Sequence, residues 1–172
     1  MAGLIHIYCG DGKGKTTAAM GLALRAAGSG RRVLVLQFLK DGKSSEIAPL
    51  SRVEGVEVVP QTKQFGFSWT LDEAGLDAAK EYYTGLLRDA AARAGEFDLM
   101  VLDEAIGAIG AYMLDKDVLL QFLDNKPQEL EVVMTGRGPS EELVSRADYV
   151  TEMVKQKHPF DQGISARKGI EF

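Results

Sequence analysis

Gly10-Asp11-Gly12-Lys13-Gly14-Lys15-Thr16-Thr17 is the segment of this chain that most strongly indicates its fold. An apolar run, residues 4–9, precedes it, and an alanine-rich helical pattern, residues 15–28, follows it. A strand, a glycine-rich loop and a helix in this order are the context that a phosphate-binding loop requires. Glycines let successive backbone N–H groups converge on an oligophosphate, and the helix N-terminus adds partial positive charge. The stretch therefore predicts a nucleotide site, the alternative being a chance glycine-rich turn.

The loop also contains the side chains that phosphate chemistry needs. Lys15 can reach phosphate oxygens, and the hydroxyl of Thr16 can ligate Mg²⁺. The spacing differs from the usual G-x-x-x-x-G-K-[ST] pattern, because position 9 holds Cys9 where that pattern has a glycine. The ATP-binding residues predicted here are Gly10, Asp11, Gly12, Lys13, Gly14, Lys15, Thr16 and Thr17.

Composition excludes several classes of protein. A length of 172 residues suits one domain over residues 1–172, and 45% hydrophobic with 26% charged residues is ordinary for a globular chain. A net charge of -5 argues against broad nucleic-acid binding, and no apolar run approaches the ~20 residues that span a bilayer. We therefore expect neither nucleic acid nor a membrane as partner. With no signal-peptide pattern and one cysteine, we expect a cytoplasmic location.

Apolar, β-branched runs alternate with helical patterns along the chain. The predicted strands are residues 4–9, 33–38, 56–59, 98–102, 131–135 and 149–153. The predicted helices are 15–28, 72–94, a stretch within 104–124, and 140–146, with irregular stretches at 40–46, 60–71 and 155–169. Near-continuous apolar runs indicate strands buried on both faces of a parallel sheet. The pattern predicts a three-layer α/β fold, a phosphate-loop NTPase-like fold with a mainly parallel sheet of about six strands.

Two further strand ends resemble parts of a nucleotide site. The apolar run Leu99-Met100-Val101-Leu102 ends in Asp103 and Glu104, which could serve a metal ion together with Thr16. Strand alternation would send these two carboxylates to opposite sides, so we assign Glu104 to the hydrated metal and Asp103 to hydrogen bonding near Thr16. The alternative is an acidic start of a helix. Arg137 closes another strand, where ligands of open α/β sheets bind, and it is predicted to contact ATP, the alternative being a solvated arginine.

These blocks together make the chain resemble the corrinoid adenosyltransferases of the ATP:cob(I)alamin type over nearly its whole length. The residues that carry the resemblance are Gly10 to Ala19, Gln37-Phe38-Leu39-Lys40, Gly66-Phe67-Ser68-Trp69, Val101-Leu102-Asp103-Glu104, Thr135-Gly136-Arg137-Gly138, Lys157-His158-Pro159-Phe160-Asp161-Gln162-Gly163 and Lys168-Gly169-Ile170-Glu171-Phe172. The shifted glycine spacing of the loop is itself similar to that family.

The resemblance implies an enzyme that transfers the 5′-deoxyadenosyl group of ATP to Co(I) of a corrinoid and releases triphosphate. It implies Mg²⁺ or Mn²⁺ as cofactor, bound by Thr16, Glu104 and Asp103, and it implies a homodimer served by a flavin-type reductase. Lys15 and Thr16 would be catalytic. Phe67 and Trp69 would bind the corrinoid and assist catalysis by filling the space of its lower axial ligand, which eases reduction of Co(II).

Some alternatives remain open from the sequence. Phe67 and Trp69 are also compatible with ordinary core or loop packing. A phosphate-loop kinase or hydrolase would release ADP instead of triphosphate, and a regulatory binding module would bind ATP without turnover. Family members carry an N-terminal extension before the first strand, whereas this chain begins almost at that strand, so we expect a more open corrin site.

Overall fold

A parallel β-sheet forms the centre of the computed structural model, which describes residues 2–40 and 44–171. Its strands in chain order are β1 (Ile5–Cys9), β2 (Val33–Gln37), β3 (Val56–Val58), β4 (Leu99–Asp103), β5 (Glu131–Thr135) and β6 (Tyr149–Glu152). They lie in the order β3-β2-β4-β5-β1-β6, and each neighbouring pair is parallel. The predicted sheet of about six strands is confirmed, with boundaries that differ by a residue or two.

The helices lie on both faces of this sheet. They are α1 (Lys15–Gly28), α2 (Ile47–Leu50), α3 (Glu73–Ala92), α4 (Ala105–Gly110), α5 (Lys116–Asn125) and α6 (Glu141–Val144). Strand alternation along β4 divides the core: Leu99 and Val101 pack with α1, whereas Met100 and Leu102 pack with the cluster that contains α3 and α5. The predicted three-layer α/β fold is therefore confirmed.

Local sequence signals explain several helix boundaries. Asp72 precedes α3 and its carboxylate accepts a hydrogen bond from the backbone N–H of Gly75. Ser140 precedes α6 in the same way, with its hydroxyl oxygen accepting from the N–H of Leu143. These side chains satisfy backbone donors that have no partner within the helix.

Three features differ from the sequence-based expectations. The stretch within 104–124 forms two helices, because Tyr112 takes a positive φ of 59° and Asp115 then caps α5. The short helix α2 was not predicted. Strand β6 is exposed along its whole length, since it is an edge of the sheet, so burial on both faces does not extend to it. Of the predicted irregular stretch 40–46, residues 41–43 lie outside the described part of the chain.

The parallel arrangement places the carboxyl ends of β1, β2, β4 and β5 along one edge of the sheet. Ligands of open α/β sheets bind at that edge. In the described part of the chain, no helix is both long enough and apolar enough to cross a membrane.

Candidate functional site

The phosphate loop leaves β1 and folds around the side chain of Lys15. The Lys15 ammonium donates hydrogen bonds to the carbonyl oxygens of Gly10 at 2.7 Å and Gly12 at 2.8 Å. Gly14, immediately before α1, has a φ of 116°, a backbone conformation that residues other than glycine rarely adopt. Burial, followed by repulsion from Arg137, lowers the pKa of Lys15 below its ordinary value. A phosphate group would give this partly desolvated cation a better partner than the loop carbonyls.

The segment that follows β6 packs directly on the loop. The backbone N–H of Gly12 donates to the carbonyl oxygen of Met153 at 2.7 Å, and the carboxylate of Asp11 accepts from the N–H of Lys155 at 3.0 Å. The Lys155 N–H bond lowers the pKa of Asp11, so this contact favours its carboxylate form. A Cβ atom on Gly12 would lie 2.6 Å from the Met153 oxygen. The glycines therefore serve the packing of this segment as well as access for phosphate.

Asp103 is the centre of a hydrogen-bond network at the end of β4. Its side chain has no solvent exposure. Oδ1 accepts from the hydroxyls of Thr16 at 2.9 Å and Thr135 at 2.7 Å. Oδ2 accepts from the amide of Gln37 at 3.0 Å and the ammonium of Lys40 at 2.7 Å. This buried carboxylate thus joins the start of α1 to the ends of β2, β4 and β5.

Glu104 does not continue strand β4, so the alternation argument does not apply to it. It takes a left-handed φ of 64° as the residue before α4, and its backbone N–H donates to the Thr135 hydroxyl at 2.8 Å. Burial, and then the charge of Asp103, raise the pKa of the Glu104 carboxyl. The positive charges of Lys40, Lys15 and Arg137 act in the opposite direction, so Glu104 faces the same cationic site.

The remaining predicted nucleotide ligands lie around the rim of this site. Lys13, Thr17 and Arg137 are exposed, and Lys13 and Thr17 line the cleft described below. Arg137 follows β5 and is close enough to influence the charges of both Lys15 and Glu104. Lys13 and Thr17 thus present an ammonium and a hydroxyl group to the cleft, and Arg137 adds positive charge near Lys15 and Glu104.

The donor atoms around Thr16 and Asp103 fit a divalent cation of the magnesium type. They are hard oxygen atoms, and a positive group already lies between them, because Lys40 donates to both Thr16 Oγ1 and Asp103 Oδ2. Among the described residues, no cluster of three or more acidic, histidine or cysteine side chains could hold a metal alone. Mg²⁺ is commonly held by one or two carboxylates together with substrate phosphates, and the Asp103 carboxylate lies beside the phosphate loop.

One large cleft joins the phosphate loop to the two predicted corrinoid aromatics. Its volume is about 1340 Å³, and its lining includes Lys13 and Thr16 on one side and Phe67 and Trp69 on the other. The Phe67 and Trp69 rings stack with centroids 4.5 Å apart and planes within 7°. Their exposures of 67% and 78% show that neither ring lies in the core, which leaves packing within the loop as the alternative to ligand binding. Two stacked aromatic rings that face solvent beside the phosphate loop form a surface suited to a flat ligand.

Several residues of this site were not assigned a role from the sequence. They are Gln37, Lys40, Thr135, Met153, and Lys168 to Glu171 of the C-terminal turn, which lines the same cleft. For Lys40 a signal existed, since it follows strand β2 at the same edge as Asp103 and Arg137. For Met153 the contact is made by a backbone carbonyl, which no residue type could have indicated.

Comparison with known proteins agrees with this geometry. Residues 1–172 match the family model described as ATP:corrinoid adenosyltransferase BtuR/CobO/CobP. A corrinoid adenosyltransferase of Escherichia coli (strain K12) is 35% identical over 99% of this chain and 86% of its own length. One of Pseudomonas aeruginosa is 35% identical over 99% of this chain and 84% of its own, and the corrinoid adenosyltransferase CobA of Salmonella typhimurium is 34% identical over 99% and 86%. The chain therefore belongs to the ATP:corrinoid adenosyltransferase family.

Proposed function

We propose that this protein transfers the 5′-deoxyadenosyl group of ATP to the Co(I) centre of a corrinoid and releases triphosphate, in the synthesis or salvage of cobalamin. Family membership supports the reaction class. The observation that carries the proposal for this chain is the single cleft that contains both the phosphate loop and the stacked pair Phe67 and Trp69. Its volume of about 1340 Å³ exceeds the roughly 300–1,000 Å³ of a typical small-molecule pocket, as two substrates require.

In this reaction the electrophile is the C5′ carbon of the ribose. Co(I) donates an electron pair to C5′, the bond from C5′ to the triphosphate oxygen breaks, and its electron pair leaves with the triphosphate. Co(I) carries no proton, so the protein needs no general base for this step. What the residues must supply is alignment of the two substrates and stabilisation of the charge that grows on the leaving group.

The loop residues are arranged for that second task. Lys15 is already partly buried among backbone carbonyls, Lys13 lies at the rim of the cleft, and the N-terminus of α1 points into the site. Thr16, Asp103 and Glu104 would hold Mg²⁺ or Mn²⁺, which when bound would neutralise part of the triphosphate charge. Arg137 would add a further positive charge from the end of β5.

The aromatic pair is the proposed corrinoid surface. Phe67 and Trp69 would lie beneath the corrin ring and exclude the lower axial ligand and water, which makes Co(II) easier to reduce. Because bound Co(II) must then be reduced to Co(I), we also propose a reductase of the flavin type as partner. A homodimer and a cytoplasmic location complete the proposal, both taken from what the family resemblance implies.

One assay tests the reaction. Cobalamin reduced chemically to Co(I) is mixed with MgATP and the protein, the alkyl-cobalt product is followed by its absorption spectrum, and the phosphate products are identified by ³¹P NMR. We expect adenosylcobalamin and triphosphate in equal amounts. ADP with no alkyl-cobalt product would instead indicate a kinase or hydrolase, and ATP binding without any product would indicate a binding module.

A further inference from the structure

The ammonium group of Lys40 lies where the proposed metal ion would bind. Its Nζ atom donates to Asp103 Oδ2 at 2.7 Å and to Thr16 Oγ1 at 3.0 Å. These are two of the residues assigned to the metal. The Lys40 side chain is 23% exposed and Asp103 is fully buried, so this is an ion pair at the floor of the cleft and not a surface contact.

The physical reason for this arrangement is the burial of Asp103. A carboxylate without solvent exposure is costly unless a positive charge and hydrogen bonds compensate it. Lysine is suited to this position because its ammonium is a compact point charge with several donors on a flexible stem. The neutral partners of Asp103, namely Thr16, Thr135 and Gln37, supply hydrogen bonds without charge. Lys40 is the positive group in direct contact with this carboxylate.

Lys40 and a divalent metal cannot use Thr16 in this way at the same time. One lone pair of Thr16 Oγ1 accepts from Lys40 and its proton is donated to Asp103, so a metal bound at the other lone pair would lie directly beside the Lys40 ammonium. A metal ligated by that oxygen would place two positive charges against the same atoms, and like charges at such distances repel strongly in a partly buried site. One cation therefore has to leave before the other binds.

We propose that Lys40 is a resident counter-ion of the metal position, which keeps divalent metal out of the nucleotide-free protein and is displaced when Mg²⁺ enters together with ATP. This inference rests on the proposed function only in assuming that a metal binds at Thr16 and Asp103. Lys40 also lines the cleft, so the displaced ammonium stays beside the triphosphate. Once the metal has replaced Lys40 beside Asp103, the negative charge of MgATP compensates the positive charge of Lys40.

The test is binding of Mn²⁺, a paramagnetic probe, measured by electron paramagnetic resonance without nucleotide. Wild-type protein is expected to bind Mn²⁺ weakly. Lys40→Met removes the charge, and Lys40→Gln removes it while keeping a hydrogen-bond donor for Asp103, which guards against a variant that fails to fold. Both variants should bind Mn²⁺ about tenfold more tightly or better, because the metal no longer breaks a charge-assisted hydrogen bond.

Two controls separate displacement from general electrostatics. Lys40→Arg keeps a positive charge and should exclude Mn²⁺ as the wild type does. Lys168→Met removes a positive charge from the same cleft, and its Mn²⁺ affinity should change less than that of Lys40→Met. Equal Mn²⁺ affinity in wild type, Lys40→Met and Lys40→Gln would overturn the proposal.

Thermal unfolding provides a second readout that does not depend on activity. Without nucleotide, Mg²⁺ should raise the melting temperature of Lys40→Met and Lys40→Gln but leave that of the wild type nearly unchanged, since only a state that binds the metal is stabilised by it. If wild-type protein with ATP also fails to bind Mn²⁺, the metal assignment itself is wrong. If MnATP binds normally and the Lys40 variants behave as wild type, only the counter-ion role is wrong.

Discussion

At the scale of single residues, Asp103 connects the elements of the site. Its two oxygens accept from four side chains that belong to α1, β5, β2 and the residue three positions after β2. A buried network of this kind stabilises only while each member keeps its partner, because an unpaired charge in the interior is far more costly than an unpaired amide. The same carboxylate thus serves the fold and the proposed metal.

We expect Asp103→Asn to lower the free energy of unfolding by about 3 kcal/mol, because Lys40 would lose its buried counter-charge and one oxygen would become an amide donor facing other donors. Urea denaturation of the nucleotide-free proteins measures this. Asp124→Asn is the matched control, since Asp124 pairs with Arg146 at the surface and should show no comparable loss. Equal, small effects in both variants would mean that the Asp103 network contributes little to stability.

Lys15→Ala tests charge stabilisation by the loop. Loss of one such contact to the leaving triphosphate should raise the barrier by about 2–4 kcal/mol, which is a reduction of roughly 30-fold to 1,000-fold in kcat/KM. Steady-state kinetics with Co(I) supplied chemically measures it, and circular dichroism checks the fold. Lys80→Ala, which removes a lysine that pairs with Asp115, should keep its activity. Turnover close to normal in folded Lys15→Ala at saturating ATP would contradict the assignment.

At the scale of elements, the phosphate loop is held from two sides. Helix α1 continues from it, and the segment after β6 lies over it through the Met153 carbonyl and the Lys155 N–H. Because Gly12 donates its N–H to Met153, the shape of the loop depends on a part of the chain far away in sequence. This explains a glycine at position 12 without reference to any ligand.

A pair of glycine substitutions tests that explanation. Gly12→Ala should destabilise the protein by about 1–3 kcal/mol, because its Cβ would meet the Met153 oxygen at 2.6 Å. Gly21→Ala in α1 should stabilise it by about 0.5–1 kcal/mol, because nothing lies within 4 Å of the new Cβ and alanine is the better helix former. Chemical denaturation compares the two. An unchanged stability of Gly12→Ala would mean that the segment after β6 moves away at little cost.

The C-terminal turn that lines the cleft is closed by Arg167 and Glu171. The Arg167 guanidinium and backbone N–H donate to the Glu171 carboxylate, which lowers the pKa of Glu171 to about 2. Since the pKa is lower in the folded state, the contribution of this contact is complete above the ordinary carboxyl range. It disappears as the pH falls through about 2. The turn should therefore keep its geometry at neutral pH.

Titration of the Glu171 carboxyl by ¹³C NMR measures this directly. We expect a midpoint near 2 in the wild type and a return toward the ordinary value of about 4.3 in Arg167→Ala, which lacks the guanidinium. The same low midpoint in both proteins would show that the Arg167 guanidinium is not the cause, because the backbone N–H of residue 167 is kept in the variant.

At the scale of the whole molecule, the cleft is formed by segments that are remote in sequence. The loop, the 60–71 stretch and the C-terminal turn meet over the carboxyl ends of the strands, and the stacked rings of Phe67 and Trp69 remain exposed. Exposed apolar surface of this kind is typical of interaction sites, which is why we propose that the two rings bind a ligand beside the phosphate loop.

Trp69→Ala separates a role in reduction from a role in packing. Trp69 is 78% exposed, so we expect a loss of stability no larger than the roughly 0.5–1.5 kcal/mol of an aromatic pair. Adenosylation should be slow when a flavin-type reductant must reduce bound Co(II), and should recover when Co(I) is generated chemically beforehand. Equal losses with both reductants, in protein that binds ATP normally, would remove the axial-ligand role from this segment.

Features that depend on neighbouring residues could be predicted from the amino-acid sequence. The strand, glycine loop and α1 follow from local backbone requirements, the caps at Asp72 and Ser140 from hydrogen bonds three residues apart, and the layers from apolar periodicity. The motifs shared with the corrinoid adenosyltransferase family also predicted the activity, because they contain the side chains that its chemistry uses. None of these signals needs contacts between distant parts of the chain.

Features that depend on contacts between distant residues required the folded structure. Lys40 meets Asp103 across 63 residues, and Lys155 meets Asp11 across 144. The break between α4 and α5, the left-handed Glu104 and the exposure of Phe67 and Trp69 are likewise set by how elements meet. Which remote residues pair depends on topology and packing. The composition and periodicity of a single segment do not specify these. The ammonium of Lys40 at the proposed metal position therefore became visible only once the chain was folded.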